Sequence, residues 1–381
     1  MKIVYILSGT GTLGGATKSF INMLNHIVEC GNSVLVVTPN KDGIYTVLTN
    51  RGIPTVFLPY YFNAKPEKRL KSVLANPVKR ILNRYSASRL KHLCRKFRPD
   101  IIHSNTSVNN IGYLVAKWLD LPHVWHIREY GDKDFNMEIR HLNQRLTERN
   151  NYSIAITKDI ARHRNVLGTA NNRVIYNGII NQQQEIPIGP KENYFLYAGR
   201  IEKAKGIEDC IDAFIAFKTE SKKDIQLLIA GNPTTDGQHI KSDLIKRINI
   251  AGLTNDVHWL GGRDDINILM SKALATIVPS FFEGFGRVMP EAMSVGCLVI
   301  GRDTGGTKEQ FDNGVEFTGQ EIGLRFKTVD ELKNHLTAIA KNGLRPYQPM
   351  VQRGFLTVNN LYSIEEYGKH IFEFYKYVLN Q

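Results

Sequence analysis

The chain is 381 residues long with 42% hydrophobic and 22% charged side chains, too long for one ordinary hydrophobic core and too apolar for a disordered segment. No apolar run reaches the roughly 20 residues that span a bilayer. The formal net charge is +13, yet twelve Lys or Arg lie between Lys65 and Arg98 beside one acid, Glu67, so that segment alone carries +11 and the rest is nearly neutral.

The opening residues Met1–Gly9 are followed by glycines and an amphipathic helical pattern over Ala16–Val28, with no small-residue cleavage site. They read as a first buried strand rather than a signal peptide. Continuous apolar or β-branched runs follow at Ile3–Ser8, Ser33–Thr38, Pro54–Pro59, Ile101–His103, His123–Ile127, Ile154–Thr157 and Val174–Tyr176, separated by helical or polar stretches. Runs without alternation suit parallel strands covered on both faces. A polar stretch with Pro187 and Pro190, residues 181–192, reads as a linker. The pattern restarts at Tyr194–Ala198, Ile225–Ala230, Val257–Leu260, Ala275–Val278 and Leu298–Gly301. The expected fold is therefore α/β, with two doubly wound Rossmann-like domains, residues 1–180 and 193–362, facing across a cleft. Cys30, Cys94, Cys210 and Cys297 form no Cys-x-x-Cys pair, which predicts reduced, mostly buried thiols in a cytoplasmic protein.

The loops at the strands' carboxyl ends carry the chemistry. Gly9, Gly11 and Gly14 satisfy the dinucleotide pattern G-x-G-x-x-G, but the second strand closes with Thr38-Pro39-Asn40 and Asp42 comes too late to hold a ribose. What survives is a glycine-rich turn at a helix N-terminus, either open to a phosphate or sugar or merely a tight turn. The run His126-Ile127-Arg128-Glu129-Tyr130 ends another strand, with His126 either at the cleft or satisfied by backbone. Asp132-Lys133-Asp134 has the spacing of a D-x-D metal motif but stands isolated in a charged loop, and no other His, Asp or Glu cluster has ligand spacing, so no metal is expected.

In the second half, Gly199-Arg200-Ile201-Glu202-Lys203-Ala204-Lys205-Gly206 places a planar fork and a mobile ammonium where they suit a diphosphate. Ser280–Met293 then holds two carboxylates, Glu283 and Glu291, on either side of a Gly-x-Gly turn. Carboxylates there can accept bonds from the hydroxyls of a sugar and a ribose.

With this E-x7-E element the sequence resembles the family-4 retaining glycosyltransferases of the GT-B fold. Gly14-Gly15, Val174-Ile175-Tyr176-Asn177-Gly178, Gly199-Arg200 with Lys205-Gly206, and Gly305-Gly306-Thr307-Lys308-Glu309 support it in the family's order, over residues 3 to 310. The resemblance implies that Arg200 and Lys205 bind the donor diphosphate, UDP first among the candidates, and neutralise its departing charge. Glu291 would hold the ribose, and Glu283 the transferred sugar, with the Phe285 and Gly286 amides. His126 would lie near the reaction centre, Gly15 would approach the diphosphate from the other lobe, and Arg263 would meet the nucleobase. A helix over about 363–381 would cross back to the first domain. Pro290 departs from the family pattern, but a proline in a helix's first turn is tolerated. Transfer would be retaining and metal-independent, by front-face displacement, with no cofactor beyond the donor.

The basic segment shows Leu70, Val73, Leu74, Val78, Ile81, Leu82 and Tyr85 at three- and four-residue steps, with Lys and Arg opposite. Asn76-Pro77 predicts the end of one helix and the start of another. Such helices either pack on the sheet behind a solvated basic face or dock on an anionic membrane, where each cation contributes about 1 kcal/mol. The second reading places the protein on the inner face of a cell membrane, acting on a lipid-linked or glycan acceptor in bacterial surface-glycan synthesis. No nucleic-acid motif accompanies the charge. The rival functions are a nucleotide-sugar epimerase of similar fold and a noncatalytic membrane- or nucleic-acid-binding protein.

Overall fold

Apolar runs that lack polar alternation need cover on both faces, and each finds it in a parallel sheet. The computed structural model describes residues 1–8, 14–66, 70–135, 137–183, 185–187 and 189–381. The chain divides into two units, Met1–Gly178 with Ile364–Gln381, and Ile179–Ser363. Both are Rossmann-like α/β layers.

In the first unit the strands are β1 (Lys2–Ile6), β2 (Ser33–Thr38), β3 (Thr55–Phe57), β4 (Ala64–Pro66), β5 (Ile101–Ser104), β6 (His123–Ile127), β7 (Met137–Ile139), β8 (Asn151–Ala155) and β9 (Asn172–Val174). Seven form a sheet in the order β3-β2-β1-β5-β6-β8-β9, while β4 and β7 pair separately and antiparallel. The second unit holds β10 (Tyr194–Ala198), β11 (Gln226–Ala230), β12 (Val257–Gly261), β13 (Ala275–Val278), β14 (Val299–Arg302) and β15 (Leu324–Phe326) in the order β12-β11-β10-β13-β14-β15. The short strands β4, β7 and β15 escaped the sequence reading because, unlike β3 within Pro54–Pro59, none lies in a longer apolar run.

Three further features depart from the sequence reading. The stretch expected as a linker is tied to the second unit at Gln183 and Lys191. Gln183 N–H donates to Asn359 Oδ1 at 2.8 Å, and Lys191 Nζ donates to the carbonyls of Ser271 and Gly296 at 2.7 and 3.0 Å. The helix Leu70–Phe97 runs unbroken through Pro77; the long run on either side offsets the single bond a proline removes. The face of that helix directed at its own unit is Asn83, Ser86, Ala87, Leu90 and Cys94, all buried. Val78, Ile81, Leu82 and Tyr85 instead face outward, at 57, 68, 37 and 59% exposure. Asn83 explains the inversion. Its amide brackets the Tyr61 backbone, accepting from N–H at 2.8 Å and donating to C=O at 2.9 Å, and so holds the polar side inward.

The C-terminal helix Ile364–Leu379 packs in the first unit. Its Tyr367, Ile371, Phe374 and Tyr375 join Phe20, Met23, Leu24 and Ile27 of the helix Gly15–Glu29 in one core. The approach is close: a Cβ at Gly368 would lie 2.3 Å from the His26 ring.

Candidate functional site

In the second unit the chain turns from β10 to β11 and β12 on one side, then crosses to β13 on the other. Ligands bind outside the carboxyl ends of strands at such a switch point. The loops after β10 and β13 meet there, because Tyr197 pairs with Ile277 and Phe281 N–H donates to Ala204 O at 2.9 Å. Gly206 makes the meeting possible. Its φ is +64°, and a Cβ would fall 2.0 Å from Pro279 O, so only glycine fits.

This contact delivers Lys205 to Glu283, with Nζ 2.6 Å from Oε1 and both side chains largely buried. Glu283 is fixed from behind, since its carbonyl accepts from Gly306 N–H at 2.9 Å. Gly286, at φ +82°, folds the turn back against the Glu283 side chain. Gln310 Nε2 clamps the same turn, donating to Gly286 O at 2.9 Å and also to Phe285 O. Phe285 is buried with its ring edge-on to Tyr362 at 5.3 Å.

Glu291 lies in the helix Val288–Ser294, with Pro290 in the first turn. Arg287 Nε and Nη2 both reach its Oε1 at 3.1 Å. Arg200 sits apart from these groups. It is 60% exposed and pairs with Glu202 at 2.9 Å. Arg263 is exposed and bonded to Asp265 at 2.7 Å, while Gly262 N–H donates to Asn232 Oδ1 at 3.0 Å. Lys205 and Glu283 are thus in direct contact, whereas Glu291, Arg200 and Arg263 each hold a different partner. Sequence reasoning missed Arg287 and Gln310. The first stands four residues before Glu291 on a helix, a spacing that does announce a pair; the second has no local signal.

In the first unit, Gly14 caps and Gly15 opens the helix Gly15–Glu29, with no side-chain cap. Gly9 and Gly11 lie outside the described residues. His126 is completely buried rather than open to solvent. Its Nδ1 lies 3.2 Å from His103 Nε2 and 3.3 Å from Arg128 Nη2. Arg128 is itself held by Asn105, Asn177 and the Tyr367 hydroxyl at 2.7 to 3.2 Å. Burial first, and the Arg128 charge second, push the pKa of both imidazoles well below the usual value, so both rings are neutral.

Asp132 is bonded to His163 Nε2 at 2.7 Å, and the Asp134 side chain lies outside the described residues. Among the described residues no three His, Cys, Asp or Glu are grouped to hold a metal, and no helix is long and apolar enough to cross a membrane. A cavity of about 410 Å³ opens elsewhere, at the amino ends of β6 and β8. Both of its acids are already engaged, Glu148 by Lys117 and Tyr113 at 2.8 and 2.7 Å and Asp120 by Asn150 at 3.0 Å.

Two family models match consecutive parts of the chain, "Glycosyltransferase Family 4" over residues 13–182 and "Glycosyl transferases group 1" over 179–354. The lipopolysaccharide core biosynthesis mannosyltransferase LpsB of Rhizobium meliloti is 27% identical over 180 residues, 44% of this chain and 50% of that protein. The Campylobacter jejuni N-acetylgalactosamine-N,N'-diacetylbacillosaminyl-diphospho-undecaprenol 4-alpha-N-acetylgalactosaminyltransferase is 29% identical over 163 residues, 42% of this chain and 40% of that one. The matches thus span half or less of these curated relatives. Anabaena Alr3699/HepE in complex with UDP shares the fold, with a TM-score of 0.77 at 20% identity over 98% of this chain and 99% of that one.

Proposed function

The chain belongs to the family-4 glycosyltransferases of the GT-B fold, and on that premise we propose that it moves a sugar from a nucleoside diphosphate to a lipid-linked or polysaccharide acceptor, with retention and without a metal. The observation that carries this reading is the Lys205–Glu283 contact at the switch point. In the free site the ammonium and carboxylate neutralise each other. An arriving diphosphate competes for Lys205 and frees Glu283 for the sugar hydroxyls. Arg287 Nε and Nη2 reach Glu291 through Oε1, and Oε2 would take a ribose diol.

In the step itself, the bond from sugar C1 to the diphosphate oxygen breaks, and the acceptor oxygen joins C1 on the same face. The acceptor's proton passes to the departing diphosphate. Lys205, with Arg200 swinging from its exposed position, stabilises the leaving charge, and such preorganised donors are usually the largest catalytic contribution. UDP is favoured because solved relatives of this fold are described with UDP and UDP-glucose. A lipid-linked acceptor is favoured by relatives named for a lipopolysaccharide core and a diphospho-undecaprenol glycan.

The outward stripe Val78, Ile81, Leu82 and Tyr85, together with exposed Lys79, Arg80, Arg84 and Arg89 on the same helix, suits peripheral docking on an anionic inner membrane face. Apolar side chains would enter the interface while the cations meet lipid headgroups. A screen of UDP-, GDP-, ADP- and CDP-sugars by thermal shift and donor hydrolysis, with and without chelator, tests the transfer. One nucleotide class should stabilise the protein, and turnover should survive chelation. Absence of any shift overturns the reading, and turnover abolished by chelator overturns its metal independence.

A further inference from the structure

The Lys205–Glu283 contact holds only while two separate loops stay pressed together, and β14 supplies a side chain that reaches both. Arg302 closes that strand and is only 5% exposed. Its guanidinium divides its donors among three elements. Nε donates to Pro279 O at 2.9 Å, in the loop after β13. Nη1 donates to Lys327 O at 3.0 Å, just past β15. Nη2 pairs with the Asp209 carboxylate, in the first turn of the helix Ile207–Glu220. The ring centroids of Phe281 and Phe326 lie 4.2 and 4.9 Å from its central carbon, close enough for cation–π attraction.

Two of these partners frame the proposed site. Asp209 stands four residues after Lys205, and Pro279 four residues before Glu283. Pro279 O is also the atom that a Cβ at Gly206 would strike, so Arg302 fixes the very carbonyl against which the Lys205 loop is laid. The residues after Arg302 continue the grip: Thr304 Oγ1 donates to Ser280 O at 3.3 Å and Gly306 N–H to Glu283 O at 2.9 Å. A guanidinium stays charged and only donates, and a buried charge is costly unless it is paired. Moving either loop away would strand one of its donors. A lysine would keep the charge, but it is a point donor without the planar fork that serves three directions at once.

We propose that Arg302 is a positioning residue for the transfer: by joining Asp209 to Pro279 it locks the loop bearing Lys205 onto the loop bearing Glu283. The consequence for transfer rests on the reading above, whereas the lock itself does not.

Amide hydrogen exchange in the free full-length protein reads the lock without any substrate. Arg302→Lys should speed exchange about tenfold at the Phe281 amide, which donates to Ala204 O across the two loops. The Leu227 amide in β11 should keep its wild-type rate. Asp209→Asn keeps an acceptor at a partly exposed position and should speed Phe281 exchange by a smaller factor, about threefold; it decides the matter should Arg302→Lys not fold. With a donor sugar that the wild type hydrolyses, Arg302→Lys should lower kcat about tenfold, the value of one hydrogen bond to a charged group, and leave KM within about threefold. In a Lys205→Ala background the same substitution should cost less than about threefold, because its effect passes through Lys205. Unchanged Phe281 exchange overturns the proposal whatever the activity, and so does equal acceleration at Phe281 and Leu227. Local acceleration with unchanged kcat, or with equal losses in the two backgrounds, overturns the positioning role and leaves the transfer reading intact. A wild type that turns over no nucleotide sugar removes the transfer reading and the catalytic consequence with it, while the exchange rates still decide the lock.

Discussion

In the second unit, the carboxyl end of the sheet is lined by largely but not fully buried charges that pair with one another, Lys205 with Glu283 and Arg287 with Glu291. In the first unit, the corresponding edge is a buried set of neutral rings around one guanidinium. The difference follows from what each arrangement tolerates. A charged pair that keeps some access to solvent can exchange its carboxylate for an incoming anion, because each partner keeps a charge-assisted bond. A neutral buried network cannot rearrange without exposing orphan donors, so it holds one geometry. The first arrangement can yield to an incoming charge, and the second holds its geometry.

The largest expected effect breaks the charged side. Lys205→Ala should lower kcat by about 10²–10³-fold, by analogy with losing one oxyanion donor; turnover within a few fold of wild type removes Lys205 from the leaving-group role. Next comes the neutral side. His103, His123 and His126 all have depressed pKa values caused mainly by burial, and that of His123 is pushed down to about 3. The unfolded chain therefore binds more protons than the folded one below about pH 6.5, and stability falls as pH drops through that value. Each of these histidines contributes up to about 1.4 kcal/mol per pH unit in the window. Thermal unfolding at pH 5 should begin well below that at pH 7, and a flat profile contradicts the buried neutral network.

A smaller effect sharpens the comparison within the second unit. Arg287→Ala frees Glu291 from its holder and should raise the donor KM about five- to tenfold with little change in kcat, because orienting a ribose contact is ground-state binding. A kcat loss without a KM change places Arg287 at the reacting atoms instead. The smallest effect lies outside both edges. Ile81→Asp should reduce co-sedimentation with phosphatidylglycerol vesicles several-fold and leave hydrolysis of soluble donor unchanged. Undiminished vesicle binding would show that the outward stripe does not enter the interface.

The contrast also explains what could be read in advance. The Lys205 and Glu283 loops were legible because each follows an apolar run directly and carries glycines beside charged residues. The buried network in the first unit, where Tyr375 Oη lies 2.7 Å from His103 Nδ1, was not, because His103, Arg128 and Tyr375 belong to three elements with no shared motif. The stripe on Leu70–Phe97 had the period of a packed face, yet Asn83 turned it outward through a bond to Tyr61. Helical period states that a face is apolar; it does not state which way the face is directed.

The sequence by itself determined the two parallel α/β layers, because uninterrupted apolar runs can be buried only between helices. It also determined where the glycine turns and the paired carboxylates fall along the chain. Tertiary structure alone decided the distant partners: Glu283 for Lys205 across 78 positions, and a tyrosine from the last helix for His103. Local composition acts over one element, whereas these contacts arise from strand order and crossover, which place distant loops side by side.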